Sequence, residues 1–135
     1  MPNITLGMAQ AAATAAIAEA RKLNLKPVTV AVLDAGGHLV ALAREDYSSN
    51  LRPKIAIAKA SGALALGVSS RAIGEMAQER PTFVGACANL APEGLIPAAG
   101  GVLILADNGY VIGAIGVTGD TSDDDEKCVS PVSIQ

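Results

Sequence analysis

The run from Val102 to Val117, with Asn108-Gly109 near its middle, constrains the fold more than any other part of the sequence. Asn-Gly between two runs of strand-forming residues favours a two-residue type I′ turn. Val102–Asp107 and Tyr110–Val117 are therefore expected to pair as an antiparallel hairpin. A second hairpin is expected upstream. Residues 28–34 are rich in β-branched side chains, Asp34-Ala35-Gly36-Gly37 supplies a turn, and His38–Arg44 returns as a strand. On that strand His38, Val40, Leu42 and Arg44 share one face, and Leu39, Ala41 and Ala43 share the other.

Helical signals separate the hairpins. Residues 5–23 have apolar positions near the helical period, with Thr5 as cap and Asn24 and Pro27 as stops. Residues 51–66 carry Pro53 in the first turn, where a missing N–H is harmless, and Gly67 just beyond the end. A short helix from Arg71 to about Glu79, capped by Ser69 or Ser70, is ended by Pro81. Residues 82–90 fit helix or strand, and residues 91–97 read as loop. Asp120, Thr121 or Ser122 caps a last helix, which Pro131 limits. Helix, hairpin, two helices, loop, hairpin and helix describe an α/β (α+β) chain, with a mainly antiparallel sheet and helices packed on it. The 135 residues suit one domain, 1–135.

The side chains available for its core are small. There are 26 alanines and 14 glycines but only three aromatics, Tyr47, Phe83 and Tyr110. Hydrophobic gain scales with apolar area, so such a core needs close approach of its elements, and a partner subunit is expected to add burial. With a net charge of −3 and so few stacking rings, a nucleic-acid partner is not expected. No signal peptide and no membrane span is expected, so the expected location is cytoplasmic. Two cysteines and one histidine give neither a disulfide framework nor a metal-ligand pattern, so no metal is expected.

Charge is unevenly placed. Residues 1–80 carry nine Lys/Arg against six Asp/Glu, whereas residues 81–135 carry Lys127 against seven acids. Arg52, Lys54, Lys59, Arg71 and Arg80 lie on the two consecutive helices expected between residues 51 and 80. They are either ordinary surface charge or the lining of an anion site, since Arg forks suit carboxylates. Arg52 stands out because a cation at a helix N-terminus opposes the dipole. In the acidic run from Asp120 to Glu126, four adjacent acids exceed what capping needs. Asp124 and Glu126 are candidates for acid–base work beside Lys59, whose pKa would fall near other cations. Gly100-Gly101 fits no phosphate motif but allows close approach of a ligand to the backbone. His38 is either an exposed turn residue or a haem ligand.

Four strings stand out: Val32-Leu33-Asp34-Ala35-Gly36-Gly37-His38-Leu39-Val40-Ala41, Ile55-Ala56-Ile57-Ala58-Lys59-Ala60, Pro97-Ala98-Ala99-Gly100-Gly101-Val102-Leu103-Ile104 and Val111-Ile112-Gly113-Ala114-Ile115-Gly116-Val117. Together they resemble the GlcG/HbpS family, also called the haem-degrading domain family, which includes the C-terminal domain of PduO. The resemblance implies a profilin-like fold and homo-oligomers from dimers to octamers. It implies haem or tetrapyrrole binding in some members. In members from catabolic operons it implies a tautomerase, isomerase or imine deaminase of small unsaturated or amino-substituted carboxylic acids. The expected function is an oligomeric protein that binds a small anionic ligand, haem included. In it Arg52, Lys54, Arg71, Arg80, Gly100 and Gly101 contact the ligand, and Lys59, Asp124 and Glu126 supply catalysis if there is any. The alternatives are that enzyme and a non-catalytic accessory protein of a metabolic operon.

Overall fold

The computed structural model describes residues 3–129. Its elements are α1 (Leu6–Lys22), β1 (Thr29–Asp34), β2 (Leu39–Arg44), α2 (Arg52–Leu66), α3 (Ser70–Glu79), α4 (Pro81–Leu90), β3 (Gly101–Leu105), β4 (Val111–Thr118) and α5 (Ser122–Lys127). The strands form one antiparallel sheet in the order β2-β1-β4-β3, so the two hairpins meet at the central β1–β4 pair. Residues 82–90, for which helix and strand were both open, belong to α4, with Pro81 in its first turn. Pro131, read as the limit of the last helix, lies outside the described residues.

The turn chemistry corrects one expectation. A type I′ turn needs positive φ at both central residues. Gly109 has a φ of 86°, but Asn108 is not among the positive-φ residues. Gly109 N donates to Ala106 O, and Ala106 N donates to Tyr110 O. The hairpin therefore closes through three residues ending on a left-handed glycine, a type I turn followed by a G1 bulge. The first hairpin does the same. Gly37 has a φ of 86°, Gly37 N donates to Asp34 O, and Asp34 N donates to His38 O.

Two faces of the sheet are packed by different means. On one, α1 sets Ala9, Ala12, Ala13, Ala16 and Ala20 against Val28, Val30, Val32, Ile115 and Val117. On the other, α2 lies over β3 and β4 at the paired glycines Gly101 and Gly116. A Cβ on Gly116 would run into Ala56 O, and one on Gly101 into Lys59 O. The small residues counted in the sequence thus bring a helix backbone directly onto the sheet.

Candidate functional site

At one end of the sheet, register pairs Thr29 with Thr118 across β1 and β4. Directly opposed residues share a face, and this pair shares the α2 face with Gly116. Thr29 and Thr118 are both buried. Thr29 Oγ1 and Ser48 Oγ lie 2.8 Å apart in a hydrogen bond. Arg52, in the first turn of α2, donates from Nη1 to Thr118 Oγ1 at 2.7 Å. The half-buried Arg52 has no carboxylate within ion-pair distance among the described residues. One hydroxyl thus orients its fork while the other donors stay available.

Two turns further along α2, Lys59 is buried. Its Nζ donates to Val117 O at 3.0 Å and to Asp125 Oδ2 at 3.2 Å. Burial pushes the Lys59 ammonium below its ordinary value of 10.5; Asp125 opposes that, and Arg52 adds a smaller push downward. Asp125 also accepts from Gly119 N at 3.3 Å and Asp120 N at 2.8 Å, so its carboxylate closes the β4–α5 turn. Gly100, at a φ of 129°, makes room for this arrangement. A Cβ there would stand 2.7 Å from Lys59 Nζ.

The remaining candidates divide between this region and the rest of the molecule. Arg71, on α3, donates to Asp123 and to Glu126 of α5, the latter at 2.9 Å. Asp124 pairs with Lys127 at 3.1 Å. Lys54 is exposed on α2. Arg80 stacks 4.0 Å over the Phe83 ring, at the far end of α3 from Arg71. His38 sits at the opposite end of β1 from Thr29, about 17 Å away along the strand. Its side chain is 81% exposed, with Nδ1 3.3 Å from Asp34 Oδ1. Arg52, Lys59, Gly100 and Gly101 are brought together, Arg71 and Glu126 join them through α5, and His38 and Arg80 are apart. Because the Arg71 pairs are exposed, Arg71→Ala should leave the thermal midpoint nearly unchanged at about 150 mM salt, as differential scanning fluorimetry would show.

Asp125, Thr118, Thr29 and Ser48 were not singled out by the sequence. For Asp125 a signal existed. It shares a helical face with Cys128 and Val129, the apolar residues that turn inward. Thr121, one of three cap candidates, is the cap, accepting from Asp124 N. Asp120 instead accepts from Lys26 N and Thr121 N, and these bonds, the Lys26 one foremost, hold its carboxyl below its ordinary 3.8. A carboxylate lowered by folding contributes stability above its unfolded value, and that contribution is lost as pH falls through the folded value. Acid unfolding of Asp120→Asn, followed by circular dichroism, should therefore show a shallower loss of stability below about pH 4 than the parent. Burial pushes the Cys128 thiol up to about 11, which keeps it protonated and unreactive.

The chain is a small mixed α/β sheet protein with a basic corner beside a buried lysine–carboxylate pair at one sheet end. Residues 4–132 match the family model described as "Haem degrading protein HbpS-like", and the chain belongs to that family. A Citrobacter freundii protein described as an "Uncharacterized 15.0 kDa protein in dhaT-dhaS intergenic region" is 34% identical over 123 residues, 91% of this chain and 84% of the relative. The crystal structure of HbpS is 27% identical with a TM-score of 0.82, covering 96% of this chain and 86% of that one. Klebsiella pneumoniae protein ORFY is 28% identical at the same TM-score of 0.82, covering 98% and 94%.

A haem needs an axial ligand and apolar walls. A groove of about 620 Å³ runs between α1 and β2, walled by residues such as Ala13, Ile17, Ala41 and Leu42. Among the described residues it presents no His, Cys, Met or Tyr to an iron. His38 is solvent-facing and lies outside that lining. Among the described residues, neither this groove nor His38 combines apolar walls with an axial donor. No helix among them is long and apolar enough to cross a membrane.

Proposed function

We propose that this HbpS-family chain works as a homo-oligomer, dimer to octamer, that binds a small anionic ligand at the Arg52 corner. The carrying observation is the half-buried Arg52, oriented by Thr118 and matched to no carboxylate among the described residues. A guanidinium recognises carboxylate or phosphate through its planar fork, and partial burial strengthens such a pairing. The oligomer is supported by Leu39 and Leu42, which are exposed on the edge strand β2, and by a core of small residues. Sedimentation of the purified chain should give a mass above that of one 13.5 kDa protomer, and a monomer would sink that part.

Haem is the ligand that the family description puts forward, and its propionates are anions that suit an arginine. Iron ligation by this chain would fall to His38 from an exposed turn, with any walls contributed by another subunit. Titration with haemin tests both halves. A saturable Soret change lost in His38→Ala would support haem, and its absence would restrict the ligand to small anions. For those, calorimetric titration with carboxylates should show Arg52→Ala weakening binding about tenfold or more. Unchanged affinity would remove the proposal.

A second reading is the non-catalytic accessory role. It is supported by the way the basic helices meet the acidic run, with Lys59 and Arg71 both matched to α5 carboxylates. The Citrobacter relative, named for a place between dhaT and dhaS, supports a catabolic-operon setting. The tautomerase or deaminase reading would use Lys59, with Asp124 or Glu126, on a small dicarboxylate. Lys59 reaches such a substrate only if Asp125 releases it.

A further inference from the structure

We infer that Arg44 is a second guanidinium of the Arg52 corner, so that the site selects a ligand with two carboxylates over one with a single carboxylate. The inference rests on the anion-binding reading of Arg52.

Register pairs Thr29 with Arg44 on one side and with Thr118 on the other. Arg44, Thr29 and Thr118 therefore form one row across β2, β1 and β4, with side chains on one face. Arg52 meets the Thr118 end of the row, and Arg44 is its other end. Ser48 links them. Its hydroxyl bonds Thr29 Oγ1, and its carbonyl accepts a long bond of 3.4 Å from Arg44 Nη1. Two guanidiniums thus flank a line of three hydroxyls, Ser48, Thr29 and Thr118.

Neither neighbouring acid pairs with Arg44 or Arg52 among the described residues. Glu45 points to the opposite face, where it pairs with Arg21 at 3.1 Å and accepts from Val28 N at 2.8 Å. Asp46, in the same loop, forms an ion pair with neither arginine among the described residues. Lys59, two turns along α2 from Arg52, is already matched by Asp125 at 3.2 Å. Two guanidiniums without a matching acid among the described residues are what a doubly charged anion would neutralise.

Backbone strain marks the same loop. Tyr47 has a φ of 71°, a region that bulky residues avoid, and its side chain is almost wholly exposed. No packing of the ring explains that conformation. It reverses the chain so that the next residue, Ser48, turns inward to Thr29. Such strain is retained where the surrounding structure uses the resulting geometry.

The test compares dicarboxylates from malonate to adipate with butyrate, by calorimetry and by amide shifts at Ser48 and Thr118. In the parent protein at least one dicarboxylate should bind about tenfold or more tightly than butyrate. In Arg44→Ala that ratio should collapse to about twofold or less, and Arg44→Lys should restore only part of it, because an ammonium lacks the planar fork. An unchanged ratio in Arg44→Ala overturns the inference and leaves the Arg52 reading standing. Butyrate binding that survives Arg52→Ala overturns the Arg52 reading itself. Absence of binding by any of these anions to the parent overturns both. Arg44 is exposed on an edge strand, so the variant should fold, and circular dichroism confirms that before titration.

Discussion

Replacing Asp125 by alanine is expected to cost about 3–5 kcal/mol of stability, because removing one partner of a buried pair strands the other charge. The stranded group would be the Lys59 ammonium, left with Val117 O as its remaining partner. Gly119 N and Asp120 N would lose their acceptor at the same time. Urea denaturation reads the loss directly, and a loss below about 1 kcal/mol would show that the pair is not a structural pin. The double variant Lys59→Met/Asp125→Leu should recover a large part of it, since apolar replacement of a whole buried pair is often neutral or better. A pH signature separates the charge from simple packing. Burial lowers the folded Lys59 value from 10.5, so the unfolded chain holds that proton more tightly. Stability should therefore rise with pH between the folded value and about 10.5, and Lys59→Met should flatten that rise.

Gly116→Ala is the second large effect. The added methyl would fall within the radius of Ala56 O, in backbone that has no rotamer to give. Overpacking a tight contact costs about 1–3 kcal/mol and sometimes more, and this site belongs at or above the upper figure because both sides are main chain. Gly109→Ala is the control for composition alone. Nothing lies within 4 Å of its would-be Cβ, so its cost is confined to the left-handed conformation at a φ of 86°. Thermal unfolding should place Gly116→Ala well below Gly109→Ala. Equal midpoints would mean that α2 can lift from the sheet at little cost.

Local chemistry made the helices and strands legible. Thr5, Pro53, Gly67 and Pro81 all act as the sequence suggests, and element ends agree to within a residue or two. The hairpin turn was misread because Asn-Gly suits both a two-residue and a three-residue loop, and only the strand register decides between them. The site was less legible. Arg52 was marked by its clash with the helix dipole, a local fact. Thr29, Ser48 and Arg44 join the row that ends at Thr118 only through strand order, which brings together residues far apart in the chain. Asp125 was hidden among four adjacent acids of equal composition, and only the inward face of α5 distinguishes it.

The glycine seat under α2 has a mechanical consequence. With the helix main chain resting on Gly101 and Gly116, α2 and the β3–β4 hairpin move as one rigid body, and sliding between them would meet backbone at once. Compliance is left to parts that do not rest on those glycines. Those are the loop from Glu45 to Leu51, which carries Ser48, and α5, which is held by the Asp125 carboxylate and by the buried Cys128 and Val129 just beyond it. Whatever adjustment accompanies arrival of a ligand must be made there, so the amides of these two segments, and not those of α2, should be where hydrogen exchange slows.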